Sequence, residues 1–318
     1  MKKALLLLCF LVPTTRAAHA EFTRHVLARN TSDASSEIVY YISQPTHKNY
    51  SLVVLCEGSY SATESISSVL DLHKLFLPIL KNCNVGLLTV EKLGVNDNAV
   101  NKNIFFTHNS ISQRVKDHET VLRSLTQRNL PGWDGTFIFI GGSEGGDVAS
   151  SLMLTFSKQT IASIIFAGIG LHSKQDEIWE GLQHMRKYGS WLERLYVWWK
   201  NLPKTRADFD AQVMQILQDP DPTKWWFGQT YHYWADAFTR TRETSLPEFY
   251  NLPTPLFIAV GTADSLINST DALVERMKEH NMQVTYRRLE GIPHGLSKHC
   301  PTIFDQAAAW LQKVICKK

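Results

Sequence analysis

Residues 136–146 read Thr-Phe-Ile-Phe-Ile-Gly-Gly-Ser-Glu-Gly-Gly and join an apolar run to a glycine-flanked serine. The β-branched and aromatic residues of this run predict a strand, and the segment 147–157 that follows has helical spacing. Between them lies the pattern Gly-x-Ser-x-Gly, the sequence form of a nucleophile elbow with Ser143 at its tip. Such a turn strains the backbone, and Gly141 and Gly145 remove side chains that would collide. The stretch therefore predicts a serine nucleophile between a strand and a helix.

Short apolar runs alternate with helical segments along the rest of the chain. The predicted strands cover residues 37–43, 52–55, 86–90, 136–140, 163–167, 256–260 and 283–289. The predicted helices cover residues 65–80, 112–127, 144–157, 270–279 and 302–313. Several strands are apolar throughout, as is typical of a parallel sheet with helices on both faces. This alternation predicts an α/β fold with a doubly wound, mostly parallel sheet.

The interval 172–253 interrupts this alternation and predicts a helical, Trp-rich lid between two parts of the core, 21–171 and 254–318. It contains seven of the nine tryptophans: Trp179, Trp191, Trp198, Trp199, Trp225, Trp226 and Trp234. Five apolar residues share one helical face: Trp191, Leu195, Trp198, Trp199 and Leu202. The favoured interpretation is that this face packs on the core. The alternative is that part of it, Trp198 and Trp199 included, lines an apolar acyl pocket or contacts lipid.

The first twenty residues predict a secretory signal peptide. Two lysines precede an apolar run at 4–12, and Ala-His-Ala at 18–20 is a suitable cleavage site. We therefore expect a protein exported to the periplasm or beyond the cell. The chain has 33 basic and 30 acidic side chains. Because three of the basic residues lie in the signal, the remainder is balanced, which disfavours nucleic acid as a partner.

Cysteine and metal-binding patterns give fewer constraints. Export permits disulfides among Cys56, Cys83, Cys300 and Cys316, of which Cys83 with Cys316 is the most reasonable pair. Free buried thiols are an equally good interpretation. The sequence has no His-Glu-x-x-His, paired Cys-x-x-Cys or Asp-rich calcium loop, and no nucleotide-binding glycine pattern. We expect neither a metal nor a cofactor.

An elbow serine needs a base and a carboxylate that orients the base, and both follow later strands in the chain. Asp264 follows the predicted strand 256–260, and His294 follows the strand 283–289. The order serine, acid, histidine is the one that this architecture uses. Asp271 and Asp236 are alternative acids, but one lies in a predicted helix and the other in the lid. We therefore predict a catalytic triad of Ser143, Asp264 and His294.

The negative charge that develops on an attacked carbonyl needs two backbone N–H donors. The residue after the nucleophile, Glu144, should supply one. The loop after strand 52–55 should supply the other, from Ser59, because Gly58 lets that loop approach closely. Glu57 and Tyr60 of the same loop are candidate substrate contacts. A carboxylate aimed at the developing charge would oppose catalysis, so Glu57 and Glu144 should point away from it or bind a cation.

These motifs together resemble those of secreted serine hydrolases of the α/β-hydrolase fold. The resemblance spans nearly the whole mature chain and implies that the lid is the usual cap between the sixth and seventh strands. The oxyanion loop departs from the family pattern, because Glu57-Gly58 stands where His-Gly is common. The Trp-rich lid favours a small-molecule substrate with an apolar acyl chain, and we expect a monomer that hydrolyses carboxylic esters or related acyl bonds through an acyl-enzyme. A serine aminopeptidase, an acyltransferase and a non-enzymatic binding module are the alternatives.

Overall fold

The computed structural model describes residues 22–29, 37–45, 48–59, 68–96 and 99–316. The predicted signal peptide and Tyr60 lie outside these described residues. The strands are β1 (Thr23–Ala28), β2 (Glu37–Ser43), β3 (Tyr50–Cys56), β4 (Val85–Val90), β5 (Val95–Asn96), β6 (Ala99–Val100), β7 (Trp133–Gly142), β8 (Thr160–Phe166), β9 (Trp225–Trp226), β10 (Gln229–Thr230), β11 (Leu256–Gly261) and β12 (Val284–Leu289).

Eight strands form one sheet in the order β1-β2-β4-β3-β7-β8-β11-β12. β2 pairs antiparallel with β1 and β4, and the six strands from β4 to β12 run parallel to one another. This arrangement confirms the predicted mostly parallel α/β sheet. Because the carboxyl ends of parallel strands share one edge, the loops after β3, β7, β11 and β12 all emerge there.

Helices cover both faces of the sheet and the stretch between β8 and β11. They are α1 (Val69–Leu80), α2 (Lys102–His108), α3 (Ile111–Arg128), α4 (Gly145–Thr155), α5 (Lys174–Tyr188), α6 (Trp191–Trp199), α7 (Arg206–Gln218), α8 (Tyr231–Thr239), α9 (Pro247–Tyr250), α10 (Ile267–Glu279), α11 (Leu296–His299) and α12 (Thr302–Ile315). None of the described helices combines the length and the hydrophobicity needed to cross a bilayer.

Alternation along the central strands divides the hydrophobic core between the two faces of the sheet. In β3, Leu52 and Val54 belong to one core cluster, whereas Val53 and Leu55 belong to the other. The first cluster includes residues of α3, α4 and the lid helices, and the second includes residues of α1 and α12. Burial on both faces explains why the strand sequences are apolar throughout rather than alternating.

Several element boundaries differ from the predictions. β1 is an additional strand whose polar sequence, Thr-Arg-His-Val-Leu-Ala, reflects its partly exposed edge position. α10 begins at Ile267 rather than at Thr270, because Ser269 and Thr270 are buried and hydrogen-bonded inside the fold. The cysteines among the described residues are free thiols, so the Cys83–Cys316 pair is not formed.

The interior of the segment 172–253, predicted as a lid, is aromatic, but its buried residues are not those of the helical face that the sequence suggested. Phe209, Trp226, Trp234 and Phe238 are buried, and the rings of Trp226 and Trp234 lie 5.4 Å apart. In α6, only Val197 is buried. The side chains expected to pack on the core are exposed instead, namely Trp191, Leu195, Trp198 and Trp199. The favoured interpretation of that face is therefore wrong except for Leu202, which is buried.

Candidate active site

Ser143 lies on a tight turn between β7 and α4. Its φ angle is +52°, in the left-handed region that non-glycine residues rarely adopt. Its backbone N–H donates to the carbonyl of Phe166 at 2.9 Å, which ties the turn to β8. Gly145 allows α4 to start against the end of β3, because a Cβ there would lie 2.0 Å from the carbonyl oxygen of Cys56. The geometry is that of a nucleophile elbow.

Asp264 and His294 approach Ser143 from the loops after β11 and β12. His294 Nε2 lies 2.9 Å from Ser143 Oγ, and His294 Nδ1 lies 2.8 Å from Asp264 Oδ2. The other carboxylate oxygen, Oδ1, accepts the backbone N–H of Leu266 at 3.0 Å. Asp264 is buried, whereas half of the imidazole surface remains exposed. The structure thus brings the three predicted triad residues into one hydrogen-bonded chain.

Opposing effects set the protonation of His294. Burial lowers the pKa of this imidazole, but the hydrogen bond and the negative charge of Asp264 raise it by more, so the pKa lies above its ordinary value. Lys174 and Glu177, at the start of α5, also act on this pKa, in opposite directions. The alternative acid Asp271 is engaged elsewhere, because it accepts a hydrogen bond from Tyr286 at 2.6 Å.

Glu144 follows the serine, and its carboxylate is fully engaged by the protein. One oxygen is paired with Arg114, and the other accepts a short hydrogen bond from Tyr233. All three side chains are buried. The carboxylate is therefore held by α3 and α8, which leaves the Glu144 backbone as the part of this residue next to Ser143.

The Glu57 carboxylate is engaged in the same way. Lys92 Nζ lies 2.9 Å from Oε1, and the Ser68 hydroxyl donates to Oε2 at 2.6 Å. Burial raises the pKa of Glu57, but the positive charges of Lys92 and Arg114 and the hydrogen bonds outweigh it, so the pKa lies below the usual range. The carboxylate is accordingly ionised and bound to protein cations.

The same two cations hold backbone carbonyls of the loop after β3. Arg114 donates to the carbonyl of Glu57, and Lys92 donates to that of Gly58 at 2.9 Å. In a trans peptide the next N–H points opposite to the carbonyl, so the N–H groups of Gly58 and Ser59 face away from these cations. A Cβ on Gly58 would lie 3.2 Å from the Cβ of Ser143, so the loop passes directly beside Ser143.

A second buried charge cluster joins the elbow helix α4 to the lid. Asp147 is bonded to Lys174 at 2.8 Å and to Arg242 at 2.9 Å. Glu177 pairs with Arg242 and accepts a hydrogen bond from Ser269 at 3.0 Å. The opposite charges balance, and the positive charges of Arg242 and Lys174 hold the pKa of Asp147 low against the effect of burial. This cluster, Asp147–Lys174–Glu177–Arg242, fixes the start of α5 close to His294.

The structure describes no contact between Ser143 and the other predicted site residues. Ser59 has an exposed side chain, and Tyr60 lies outside the described residues. Trp198 and Trp199 are 72% and 69% exposed on α6. Within the described part of the chain, no group of three or more His, Cys, Asp or Glu side chains could hold a metal ion.

Sequence reasoning missed the residues that support the site. Lys92, Arg114 and Tyr233 come from three separated segments, and each is an ordinary charged or aromatic residue in its local sequence. Asp147 gave no signal of its partners either, because an acid in the first turn of a helix is stabilised by the helix dipole whether or not it is buried. Its local sequence does not point to Lys174 or Arg242.

Comparisons with known proteins agree with the overall fold. Solved structures with the same fold include a carboxyl esterase from Bacillus coagulans, at 13% identity and a TM-score of 0.60, covering 92% of this chain and 99% of that one. Carboxyl esterase 2 from Tuber melanosporum is 12% identical with a TM-score of 0.62, covering 96% and 90%. A proline iminopeptidase from Mycobacterium smegmatis is 10% identical with a TM-score of 0.59, covering 93% and 99%.

Identities this low establish the fold alone. A comparison with curated proteins finds no match. The sequence model of a protein family described as having the alpha/beta hydrolase fold matches residues 108–298, which is more than half of the chain and includes Ser143, Asp264 and His294. The chain belongs to the α/β-hydrolase-fold family.

Proposed function

We propose that this protein is a serine hydrolase that cleaves carboxylic esters or related acyl bonds through an acyl-enzyme. The single observation that carries the proposal is the chain of hydrogen bonds from Ser143 Oγ through His294 to Asp264, with distances of 2.9 and 2.8 Å. A serine hydroxyl becomes a useful nucleophile only when a positioned base can take its proton. The raised pKa of His294 fits a base that is stabilised once protonated.

In this mechanism His294 Nε2 takes the Ser143 proton as Oγ attacks the acyl carbonyl carbon. Asp264 holds the imidazole by Nδ1 and stabilises the imidazolium. Collapse of the tetrahedral intermediate breaks the ester bond, and the leaving alcohol takes the proton from His294. Water, activated by the same imidazole, then attacks the acyl-enzyme and releases the carboxylic acid.

We assign the oxyanion donors to the backbone N–H groups of Glu144 and Ser59. Lys92 and Arg114 act as positioning residues, because each holds a carbonyl of the loop that precedes the Ser59 N–H. A fixed donor stabilises the transition state more than a mobile one, because it needs no reorganisation when charge develops on the substrate oxygen.

The engaged carboxylates favour ester over amino-terminal peptide substrates. A peptidase that trims amino termini needs a free acidic group to hold the substrate ammonium. Here the oxygens of Glu57 bind Lys92 and Ser68, and those of Glu144 bind Arg114 and Tyr233. A substrate ammonium would have to displace these buried partners.

Acyl transfer to an alcohol or amine uses the same residues and remains the second candidate. Product analysis with an added nucleophile distinguishes acyl transfer from hydrolysis.

A fluorophosphonate probe tests the mechanism directly. We expect wild-type protein to be labelled on Ser143, and Ser143→Ala to abolish labelling while preserving the fold. The matched control is Ser59→Ala, which removes a neighbouring hydroxyl but keeps the backbone N–H, and which should still be labelled. Failure of the folded wild type to react would favour a binding module. Unlabelled wild-type enzyme is then assayed on p-nitrophenyl esters of increasing acyl length and on aminoacyl p-nitroanilides, with fluorophosphonate-treated enzyme as the inactive control.

We also propose export through cleavage of the signal peptide 1–20. The support is the sequence pattern of two lysines, an apolar run and Ala-His-Ala. Amino-terminal sequencing of the protein recovered from outside the cytoplasm should begin at Glu21. Recovery of the intact chain with Met1 from the cytoplasm would contradict this proposal.

A further inference from the structure

Large apolar side chains of α6, and that of Tyr188 at the end of α5, project into solvent. Those of Tyr188, Trp191, Trp198 and Trp199 are each between 65% and 72% exposed, and Leu192 and Leu195 accompany them. We call these six residues the α6 surface. Isolated exposed apolar residues are normal, but a contiguous group of aromatic rings marks an interaction site.

The exposure is not the result of a loosely attached helix. Ser190 and Glu193 form a complete capping box at the start of α6. Beyond its end, Leu202 is buried, and Arg186 of α5 donates a hydrogen bond of 3.0 Å to the Leu202 carbonyl. Val197 faces the protein interior. Both ends of α6 are therefore fixed, and its aromatic residues are held outward.

The apolar area of the α6 surface is large for a monomer. An aromatic side chain can cover about 150–250 Å², so its four rings alone present roughly 400–700 Å² at this exposure. That is as large as the biggest patch of a typical monomer, about 300–600 Å². A stable protein interface buries about 800 Å² from each partner, of which roughly 56–65% is apolar. The area therefore fits a membrane or a second copy, and the charges around the rings distinguish the two.

Basic side chains surround the aromatic rings. Between residues 187 and 204 the charged residues are Lys187, Glu193, Arg194, Lys200 and Lys204, a net excess of positive charge. The single acid is used in the capping box. The ammonium groups of Lys187 and Lys200 lie 4.8 Å and 4.7 Å from the ring centroids of Tyr188 and Trp199. Tryptophan and tyrosine flanked by lysine is the composition that concentrates at the bilayer interface.

We propose that the α6 surface docks this protein on an anionic phospholipid membrane. The indole and phenol rings enter the headgroup region, while the flanking lysines and Arg194 contact the lipid phosphates. The partner is a lipid surface, because positive charge complements anionic headgroups, whereas in a symmetric dimer the same positive side chains would face one another. This inference is independent of the proposed catalytic mechanism, since membrane docking needs none of the triad residues.

Vesicle flotation of the exported protein, which is proposed to begin at Glu21, tests the proposal. Wild-type protein should float with phosphatidylcholine vesicles that contain about 30% phosphatidylglycerol, and Trp198→Ser with Trp199→Ser should lower the partition coefficient by about tenfold or more. The matched control is Met214→Ser, which removes another exposed apolar side chain of the segment 172–253, on α7, and should not change binding. Every variant is compared without residues 1–20, so that this apolar run does not itself bind the vesicles.

A second set of variants separates the electrostatic contribution. Replacing Lys187, Lys200 and Lys204 by Gln should weaken binding to anionic vesicles several-fold and leave the weaker binding to pure phosphatidylcholine unchanged. Arg123→Gln with Lys278→Gln, two exposed cations on other helices, is the control. Circular dichroism and thermal melting verify that each variant is folded.

Two outcomes would overturn the proposal. One is equal flotation of the wild type and the double tryptophan variant, or no flotation of either. The other is a concentration-dependent dimer of the wild type that the same tryptophan substitutions abolish, without any vesicle binding. The second outcome would assign the α6 surface to a second copy of this chain. Neither result would affect the fluorophosphonate test of Ser143.

Discussion

The substitution Asp264→Asn tests the proposed mechanism most directly, because the structure fixes how the new amide must sit. Asp264 Oδ1 accepts the Leu266 N–H at 3.0 Å, and an asparagine can keep that bond only through its own carbonyl oxygen. Its NH2 group then faces His294 Nδ1, where Oδ2 now accepts at 2.8 Å. The imidazole must become an acceptor at Nδ1 and carry its proton on Nε2.

A proton on Nε2 removes the base. The nitrogen that lies 2.9 Å from Ser143 Oγ would donate a hydrogen bond to the hydroxyl instead of accepting its proton. Loss of the correct tautomer in a triad of this kind lowers kcat by about 10,000-fold. That factor corresponds to about 5.5 kcal/mol of activation free energy. The exchange of one side chain for another of the same shape should cost at most about 2 kcal/mol of folding stability.

The assay is kcat on a p-nitrophenyl ester at neutral pH, measured beside a thermal melt. The matched control is Asp271→Asn, which removes a carboxylate bonded to Tyr286 and Arg288 rather than to His294. We expect near wild-type kcat for this control. Retention of more than about a tenth of kcat by a folded Asp264→Asn enzyme would refute the reasoning. So would a large loss in the control variant with Asp264 intact.

The value of kcat/KM should rise with pH as His294 loses its proton. The midpoint should lie above the ordinary histidine value of about 6.5, because the pKa of His294 is raised in the folded protein. A midpoint well below 6 would contradict this prediction. Gly145→Ala should prevent accumulation of folded enzyme, because its Cβ would lie 2.0 Å from a backbone oxygen. Gly142→Ala is the control and should fold normally, because its Cβ would meet nothing within 4 Å. Thermal melts of the soluble fractions compare the two variants. Lys92→Met combined with Glu57→Gln removes the Lys92–Glu57 ion pair and the hydrogen bond from Lys92 to the Gly58 carbonyl. This double variant should lower kcat by roughly tenfold with little change in KM. An unchanged kcat in the folded double variant would exclude a positioning role for Lys92.

The sequence was sufficient for the parts of the fold that local patterns encode. The elbow glycines, the apolar runs of the central strands and the order of Ser143, Asp264 and His294 are all visible in short stretches, and the structure brings the three side chains together. β1 was not predicted, because an edge strand that pairs on one side only can be as polar as a loop. Its apolar run, residues 26–28, is only three residues long.

The contacts that support the site could not be predicted from the sequence, for a different reason. Arg114 lies 30 residues before Glu144, and Tyr233 lies 89 residues after it, so their meeting depends on how α3 and α8 pack. Nothing in the local sequence of either residue distinguishes it from a surface position. The outward orientation of Trp198 also depends on packing, since periodicity identifies a helical face but not what covers it.

The Asp147–Lys174–Glu177–Arg242 cluster also limits how the segment 172–253 can move. Swinging α5 away from α4 would separate Asp147 from Lys174 and leave a carboxylate in the interior with fewer counter-charges, at a cost of about 3–5 kcal/mol. The far end of the segment is restrained in the same way, because Arg242 pairs with Asp147 at 2.9 Å and Arg240 donates to Ser151 of α4. Both ends of the segment are therefore tied to the helix that follows Ser143, and a movement of the whole segment away from that helix has to break buried ion pairs.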